Sequence, residues 1–399
     1  MTEQVSTDIA ALEKGVVEHE PSTTPRCSRF GRTNIVLGAV VAVVLIAGVG
    51  TLVSISVAGQ DSKDSVQTDV PLSECDIQAI EAVKNATSYD GDRLVLALDG
   101  SDQDDTYDGY NYAEYSPASS IECFPDSVFD NLTELTDIVI SDVSIPGGID
   151  ISARLFQNQN ISHFNLDDTE VGSIASGSFI DEPIDMMLLN NIGEPEFPPG
   201  FFSEFKSIRF FSFSEYNRDL PEEFFSYQDT VQTIALSENN ATTVLPSSLF
   251  KNLSRLATLS IEGFHNLQTV PSDLFESLPE LDTITIRDSP LLTALPGDLF
   301  DGLAGPVTRL SFTGCDLQTL PVEMFEGNKM QNLKILTLSY NPNLTLPAGI
   351  FNTTSSAETF PPIFTIHGTP YADQPCASIS SHTGAPSKIR FIGCNEPEP

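Results

Sequence analysis

Tryptophan is absent from this chain of 399 residues, histidine is limited to 5, and basic residues number 19 against 56 acidic ones. Nucleic acid is not expected as a partner, because phosphate binding depends on concentrated positive charge and the formal net charge is −37. His19, His163, His265, His367 and His382 are scattered, and no His-x-x-x-His or Cys-x-x-Cys spacing suggests zinc. A Gly-x-Ser-x-Gly elbow and a phosphate-cradling glycine loop are also missing. No enzyme and no cofactor are expected. Carboxylates are so abundant that a pair of them carries no information about hydrolysis. Acid on this scale reads first as a solvated surface that resists self-association, and second as a means of attracting cations such as Ca²⁺.

Phenylalanine is where the aromatic mass is concentrated. Phe129, Phe156, Phe179, Phe202, Phe225, Phe250, Phe275, Phe300, Phe325 and Phe351 recur at intervals of 23 to 27 residues, the period of a stacked repeat rather than of a compact globule. Residues 245–250, 270–275, 295–300 and 320–325 are near copies, from Leu245-Pro-Ser-Ser-Leu-Phe250 to Leu320-Pro-Val-Glu-Met-Phe325. Beyond each ring an alternating apolar pair follows, as in Leu259/Ile261, Ile284/Ile286, Leu310/Phe312 and Leu336/Leu338, and this alternation predicts short strands. The proline breaks a hydrogen-bond ladder and leaves a loop or loose helical turn for the return side. One such unit cannot bury its own apolar edge, whereas a stack can.

Leu333 through Leu346 follows the order Leu-x-x-Leu-x-Leu-x-x-Asn, and Leu346-Pro-Ala-Gly-Ile-Phe351 completes it. On these residues the chain resembles the leucine-rich repeat of the extracellular type over roughly residues 75 to 394. The resemblance implies an α/β solenoid, a horseshoe with a parallel sheet on its concave face and loops or short helical turns behind. About ten repeats are expected in 124–370, with caps at 73–123 and 371–399. In that family an Asn side chain bonds the backbone of the adjacent turn, a role that Asn239 and Asn341 match. Val143, Thr169, Ile192, Tyr216, Phe264, Ser289 and Cys315 fall at or beside the same slot, so an irregular ladder is expected, with Cys315 a buried structural thiol. Cys75 and Cys123 bracket the segment before the repeats, and Cys376 and Cys394 the segment after them. Four cysteines allow three pairings; position favours Cys75 with Cys123 and Cys376 with Cys394, each locking a cap.

Ahead of the repeats, residues 1–33 read as a polar, disordered cytosolic tail. The 24 residues from Ile35 to Ala58 carry no charge, and at about 1.5 Å each they reach about 36 Å, enough for a bilayer core of about 30 Å. A cleaved signal peptide would have a shorter apolar part nearer the terminus, so 34–58 is expected to be a transmembrane signal anchor. Arg26, Arg29 and Arg32 precede it and Asp61, Asp64 and Asp69 follow, which places the N-terminus in the cytosol and the rest outside, as in a single-pass type II protein of the plasma membrane or another secretory-pathway membrane. Residues 59–72 read as a stalk. Sequons at Asn85, Asn131, Asn160, Asn240, Asn252, Asn343 and Asn352 all follow the apolar segment, in agreement with an external domain. Cys27 is a candidate for palmitoylation or a plain cytosolic thiol.

The stretch 99–120 combines aspartates with tyrosines. Asp104-Asp-Thr-Tyr-Asp108-Gly opens like a calcium loop, yet its twelfth position is Tyr115 where a bidentate Glu belongs, so Asp104 and Asp108 are weak metal candidates in what otherwise reads as a solvated loop. On the strands, residues flanking each apolar pair point outward. Met186, Leu188 and Phe210 form an expected apolar patch; Arg287 and Arg309 are rare cations suited to a carboxylate or sulfate; Tyr340 belongs to the same face. A loop covering the patch, or pairing of the arginines with Glu262 and Asp288, is the plainer alternative. The expectation is a non-enzymatic cell-surface protein that binds a protein or glycan in recognition or adhesion. The alternative is an acidic structural or inhibitor-type scaffold for Ca²⁺ or cationic polymers.

Overall fold

The computed structural model describes the backbone of residues 93–97 and, in full, residues 124–395 apart from 127, 130–134, 158, 226–227, 327–329, 352–362 and 386–388. Its strands are β1 (Arg93–Ala97), β2 (Asp137–Ser141), β3 (Ile149–Ile151), β4 (His163–Asp167), β5 (Val171–Ile174), β6 (Met186–Asn190) and β7 (Phe210–Ser214). They continue with β8 (Thr233–Ser237), β9 (Thr258–Glu262), β10 (Thr283–Arg287), β11 (Arg309–Thr313), β12 (Ile335–Thr337), β13 (Ile363–Thr365) and β14 (Arg390–Ile392). Twelve of them form one parallel sheet in the order β1-β2-β4-β6-β7-β8-β9-β10-β11-β12-β13-β14. Parallel neighbours, each reached by a return segment, make this a solenoid. Because the strands pair residue for residue, Leu259, Ile284 and Leu310 lie side by side, as do Ile261, Ile286 and Phe312.

Behind the sheet runs the aromatic spine. All ten recurring phenylalanines are buried, none more than 2% exposed. Phe129 stacks on Phe156 at 5.9 Å, Phe225 on Phe250 at 5.9 Å and Phe275 on Phe300 at 5.7 Å between ring centroids. Between residues 197 and 225 the spine thickens, where Phe201, Phe202, Phe205, Phe224 and Phe225 meet edge to face or tilted.

The return side departs from the expected loops and helical turns in two adjacent units. There β3 and β5 pair as a second, two-stranded parallel sheet, and the Ala175 N–H donates to the Ile151 carbonyl at 2.8 Å. The cause lies four residues before the recurring Phe. That slot holds Pro125, Pro198, Pro221, Pro246, Pro271, Pro296, Pro321 and Pro347 in the other units but Ser152 and Ala175 here. Proline has no N–H to give at this slot, and among the described residues units that carry it pair behind the spine only through single parallel bridges, such as Val244 with Thr269 and Thr319 with Thr345. Short 3₁₀ turns at Phe201–Glu204 and Val322–Phe325 are what the return side otherwise provides in helical form.

Beyond the far edge of the front-sheet strands from β2 to β14 the chain turns through one left-handed residue. Asp142, Asp168, Asn191, Glu215, Glu238, Gly263, Asp288, Gly314, Tyr340, Gly368 and Gly393 all have positive φ. From Asp142 to Tyr340 each of them donates its N–H to a carbonyl at the end of the next strand. The following residue points inward, and this is the slot that Asn239 and Asn341 occupy. Asn341 Nδ2 donates to the carbonyls of Phe312 (2.8 Å) and Leu338 (2.9 Å), and its Oδ1 accepts from the Leu317 N–H at 3.0 Å. Asn239 differs in detail: its Nδ2 donates to the Arg218 carbonyl of the preceding turn at 2.9 Å, while its Oδ1 accepts from Ala241 and Thr242 within its own turn. Thr169 reaches the Val143 N–H, and Ser289 the Arg287 carbonyl. Cys315 is free and buried, its thiol pushed up to about 12 by desolvation. The ladder is therefore discontinuous, as its mixed composition suggests.

Three residues beyond the Phe, a different set of side chains ties early turns together. Gln159 Nε2 donates to the Phe129 carbonyl at 3.3 Å while its Oε1 accepts from the Leu135 N–H at 3.2 Å. Gln228 donates to the Phe202 carbonyl at 3.0 Å. Glu182 takes the equivalent place between them, accepting from the Ile161 N–H at 2.8 Å.

The stack continues past residue 370. Helix α1 (Cys376–Thr383) ends at Gly384, and β14 then adds the last strand. Cys376 and Cys394 are joined by a disulfide, their Cα atoms 5.4 Å apart. The tail at 1–33, the apolar segment 34–58 and the stalk 59–72 lie outside the described residues, as do Cys27, Cys75, Cys123, Asp104 and Asp108. Among the described residues no helix is long and apolar enough to cross a membrane.

Candidate functional site

A five-residue strand with an inward spine must turn its second and fourth residues in and its first, third and fifth out. Strands β4, β6, β7 and β9 follow this rule, with buried residues alternating with half-buried ones. The outward positions form in-register rows across the sheet. The middle row runs through Ser212, Ala235, Ser260, Thr285, Ser311 and Thr337, small and mostly hydroxylated. Nothing bulky rises from it, so the face offers a smooth floor.

Of the sequence-predicted contacts, Met186 and Phe210 are direct register partners on β6 and β7, and Leu188 sits two residues further along β6 beside Ser212. All three are half-buried. The structure thus brings the apolar patch together. At its border Arg209 forms a bidentate ion pair with Asp185, and His163 pairs with Asp137.

Arg287 and Arg309 are not brought together. Arg287 aligns with Thr313 at the end of β10, whereas Arg309 aligns with Thr283 at the start of β11. Four residues along a strand separate the two rows by about 13 Å. Arg287 instead lies 3.5 Å from Glu262, as the plainer alternative held, while Arg309 makes no ion pair among the described residues. Tyr340, 62% exposed, stands in the left-handed turn beyond β12 rather than on the sheet, its ring over Gly368, where a Cβ would come within 2.7 Å of it.

The end of β9 and β10 gathers Glu238, Glu262 and Asp288. Desolvation raises the pKa of all three; His265 eases the rise for Glu238, Arg287 for Glu262, and both cations for Asp288, while neighbouring carboxylates add to it for Glu238 and Glu262. His265 Nε2 is 4.0 Å from Glu238 and its Nδ1 is 3.2 Å from the Asp288 carbonyl. Among the described residues no three His, Cys, Asp or Glu side chains are arranged to hold a metal ion. On the return side a depression of about 510 Å³ is lined by Ser173, Glu194, Glu196, Phe197 and prolines.

Sequon residues Asn160, Asn240, Asn252 and Asn343 are exposed, while Asn85, Asn131 and Asn352 lie outside the described residues. Residues the sequence did not single out are Ile335, Ile363 and Arg390. Their signal lies in residues 363–365 and 390–392, which repeat the outward-inward-outward order of the earlier strands, the second triplet falling within the expected cap at 371–399.

Comparison with known families is consistent with this architecture. A family described as the BspA type leucine rich repeat region, with six copies, matches residues 103–232, and one described as leucine rich repeat matches residues 229–291. With the parallel-sheet solenoid, these matches support a leucine-rich repeat protein. No curated protein matches the chain. Among solved structures it is similar to a chain of the Drosophila Toll–Spätzle complex, at 21% identity over 67% of this chain and 38% of that one, with a TM-score of 0.47. It is also similar to the glycosylated form of that complex, at 19% identity over 62% and 35% respectively, with a TM-score of 0.46. The chain spans well under half the length of either.

Proposed function

We propose that this is a non-enzymatic, membrane-anchored leucine-rich repeat protein whose external sheet face binds a protein or glycan. The observation that carries the reading is the continuous outward face of the twelve-stranded sheet, with a low hydroxylated floor interrupted by one half-buried apolar patch at Met186, Leu188 and Phe210. Contiguous apolar patches left at a surface often mark contacts. Leucine-rich repeats are in general interaction scaffolds, which supports binding over chemistry. The uncharged run Ile35–Ala58, the arginines before it and the sequons after it support an anchor with the repeats outside.

The test is capture of soluble proteins and glycans by the full chain displayed on cells, compared with Phe210→Asp and Arg287→Glu variants. Loss of a specific ligand in Phe210→Asp supports the face; capture of every ligand at wild-type levels by both variants rejects it. Glycosidase-sensitive mobility of the repeats tests the topology in the same cells. The alternative, an acidic scaffold for Ca²⁺ or cationic polymers, rests on the charge excess, and it requires that binding vanish with chelator or high salt.

A further inference from the structure

We infer that the C-terminal part of the sheet face recognises an extended acidic protein segment carrying two carboxylates four residues apart with an apolar side chain midway. This rests on the sheet-face reading above and names the chemistry of the partner.

The outward positions of β11, β12, β13 and β14 contain no carboxylate, in a chain where acidic residues outnumber basic ones almost threefold. Their first row is Arg309, Ile335, Ile363 and Arg390, aligned across four neighbouring strands. Both arginines are exposed and neither forms an ion pair among the described residues. Asp282, at the start of the adjoining strand, is engaged by the hydroxyls of Thr308 (2.7 Å) and Thr283 (3.0 Å) instead of by Arg309. Exposed Lys334 adds a third cation beside Ile335.

Three strand spacings separate the arginines by about 14 Å, and four residues of an extended chain cover about 13.5 Å. In an extended chain residues i, i+2 and i+4 face one way. A segment laid across the strands therefore sets its carboxylates over Arg309 and Arg390 and its central apolar side chain between Ile335 and Ile363. Guanidinium favours carboxylate by paired, charge-assisted hydrogen bonds. The isoleucines favour a polypeptide over a sulfated glycan, which has no apolar group to place there.

The probe is a biotinylated Glu-Thr-Leu-Thr-Glu peptide displayed on streptavidin, against the full chain, with Glu-Leu-Thr-Glu-Thr as its composition-matched control and a sulfated oligosaccharide as competitor. The expected result is capture of the first peptide about tenfold more tightly than the control, falling at least about tenfold in the R309Q/R390Q double variant and changing less than twofold in Lys251→Gln, an exposed cation on the return side. Unaltered thermal unfolding of the double variant shows that the loss is local. Equal binding of the control, no binding of either peptide, or arginine-dependent binding of the oligosaccharide alone overturns the proposal. Peptide capture abolished by Phe210→Asp and untouched by R309Q/R390Q overturns it while leaving the sheet-face reading intact. If no face variant alters capture of any ligand, both fall.

Discussion

The carboxyl of Glu182 accepts a hydrogen bond from the Ile161 N–H, 2.8 Å away, in a slot where the preceding turn uses the amide of Gln159, the following turn carries Phe205 and the one after that uses the amide of Gln228. An amide can donate as well as accept, and an ionised carboxylate cannot. Burial accordingly pushes the Glu182 carboxyl from 4.5 up to about 7. The folded chain then holds a proton that the unfolded chain has already released, so stability falls as pH rises from about 4.5 to about 7. Glu182→Gln is expected to remove that decline and to raise stability at pH 8 by about 2 kcal/mol. Urea midpoints taken between pH 4 and 9 check this, and parallel pH profiles for the two proteins refute it.

Phe250 is fully buried and stacked on Phe225. Replacing it by Ala leaves a cavity in the spine between two turns, at a cost of about 3 to 5 kcal/mol. Since each turn touches only its neighbours, the loss should split a single denaturation transition into two, with circular dichroism and tyrosine fluorescence no longer coincident. One shared, shifted transition would instead show that the whole stack unfolds as a unit.

Asn341 saturates the backbone on both sides of its turn, whereas Ser289, in the equivalent slot, makes one bond of 3.3 Å. Asn341→Ala leaves buried carbonyls and the Leu317 N–H without partners and is expected to cost about 3 kcal/mol. Ser289→Ala should cost under about 1 kcal/mol. Comparable losses in the two variants, measured by chemical denaturation, would count against an Asn-specific role.

Ala175→Pro removes the donor that bonds the Ile151 carbonyl, yet its neighbours along the repeat accept proline in that slot. The expected cost is about 1 kcal/mol, with the fold retained; a loss above about 3 kcal/mol would mean that β5 has a backbone shape its counterparts lack.

Much of the fold was legible because neighbouring turns must agree. The ten phenylalanines mark the spine and the alternating pairs mark the strands, since each depends on the unit beside it and on little else. Leu310 and Phe312 are read from sequence as inward, and they are inward. What sequence could not supply was position within a row. Arg287 and Arg309 both point outward, but only the register reveals that one ends a strand where the other begins one. Tyr340 has the right spacing for the face and leaves it through a left-handed turn that its residue type does not advertise. Ile149-Asp-Ile151 is not legible as a strand, because three residues are too few for alternation to stand out.

The two-stranded sheet behind the spine also shows how a bare strand edge is kept harmless. Beyond β5 the next unit presents Pro198 where Ala175 stands in its own, so that slot offers the Ile174 carbonyl no donor; the Val171 N–H still reaches the Ile192 carbonyl at 2.9 Å, but among the described residues no third strand joins the rear sheet. The same imino acid that prevents the rear wall from closing denies a foreign chain a template on that flank, and leaves the front sheet as the surface where backbone order runs unbroken.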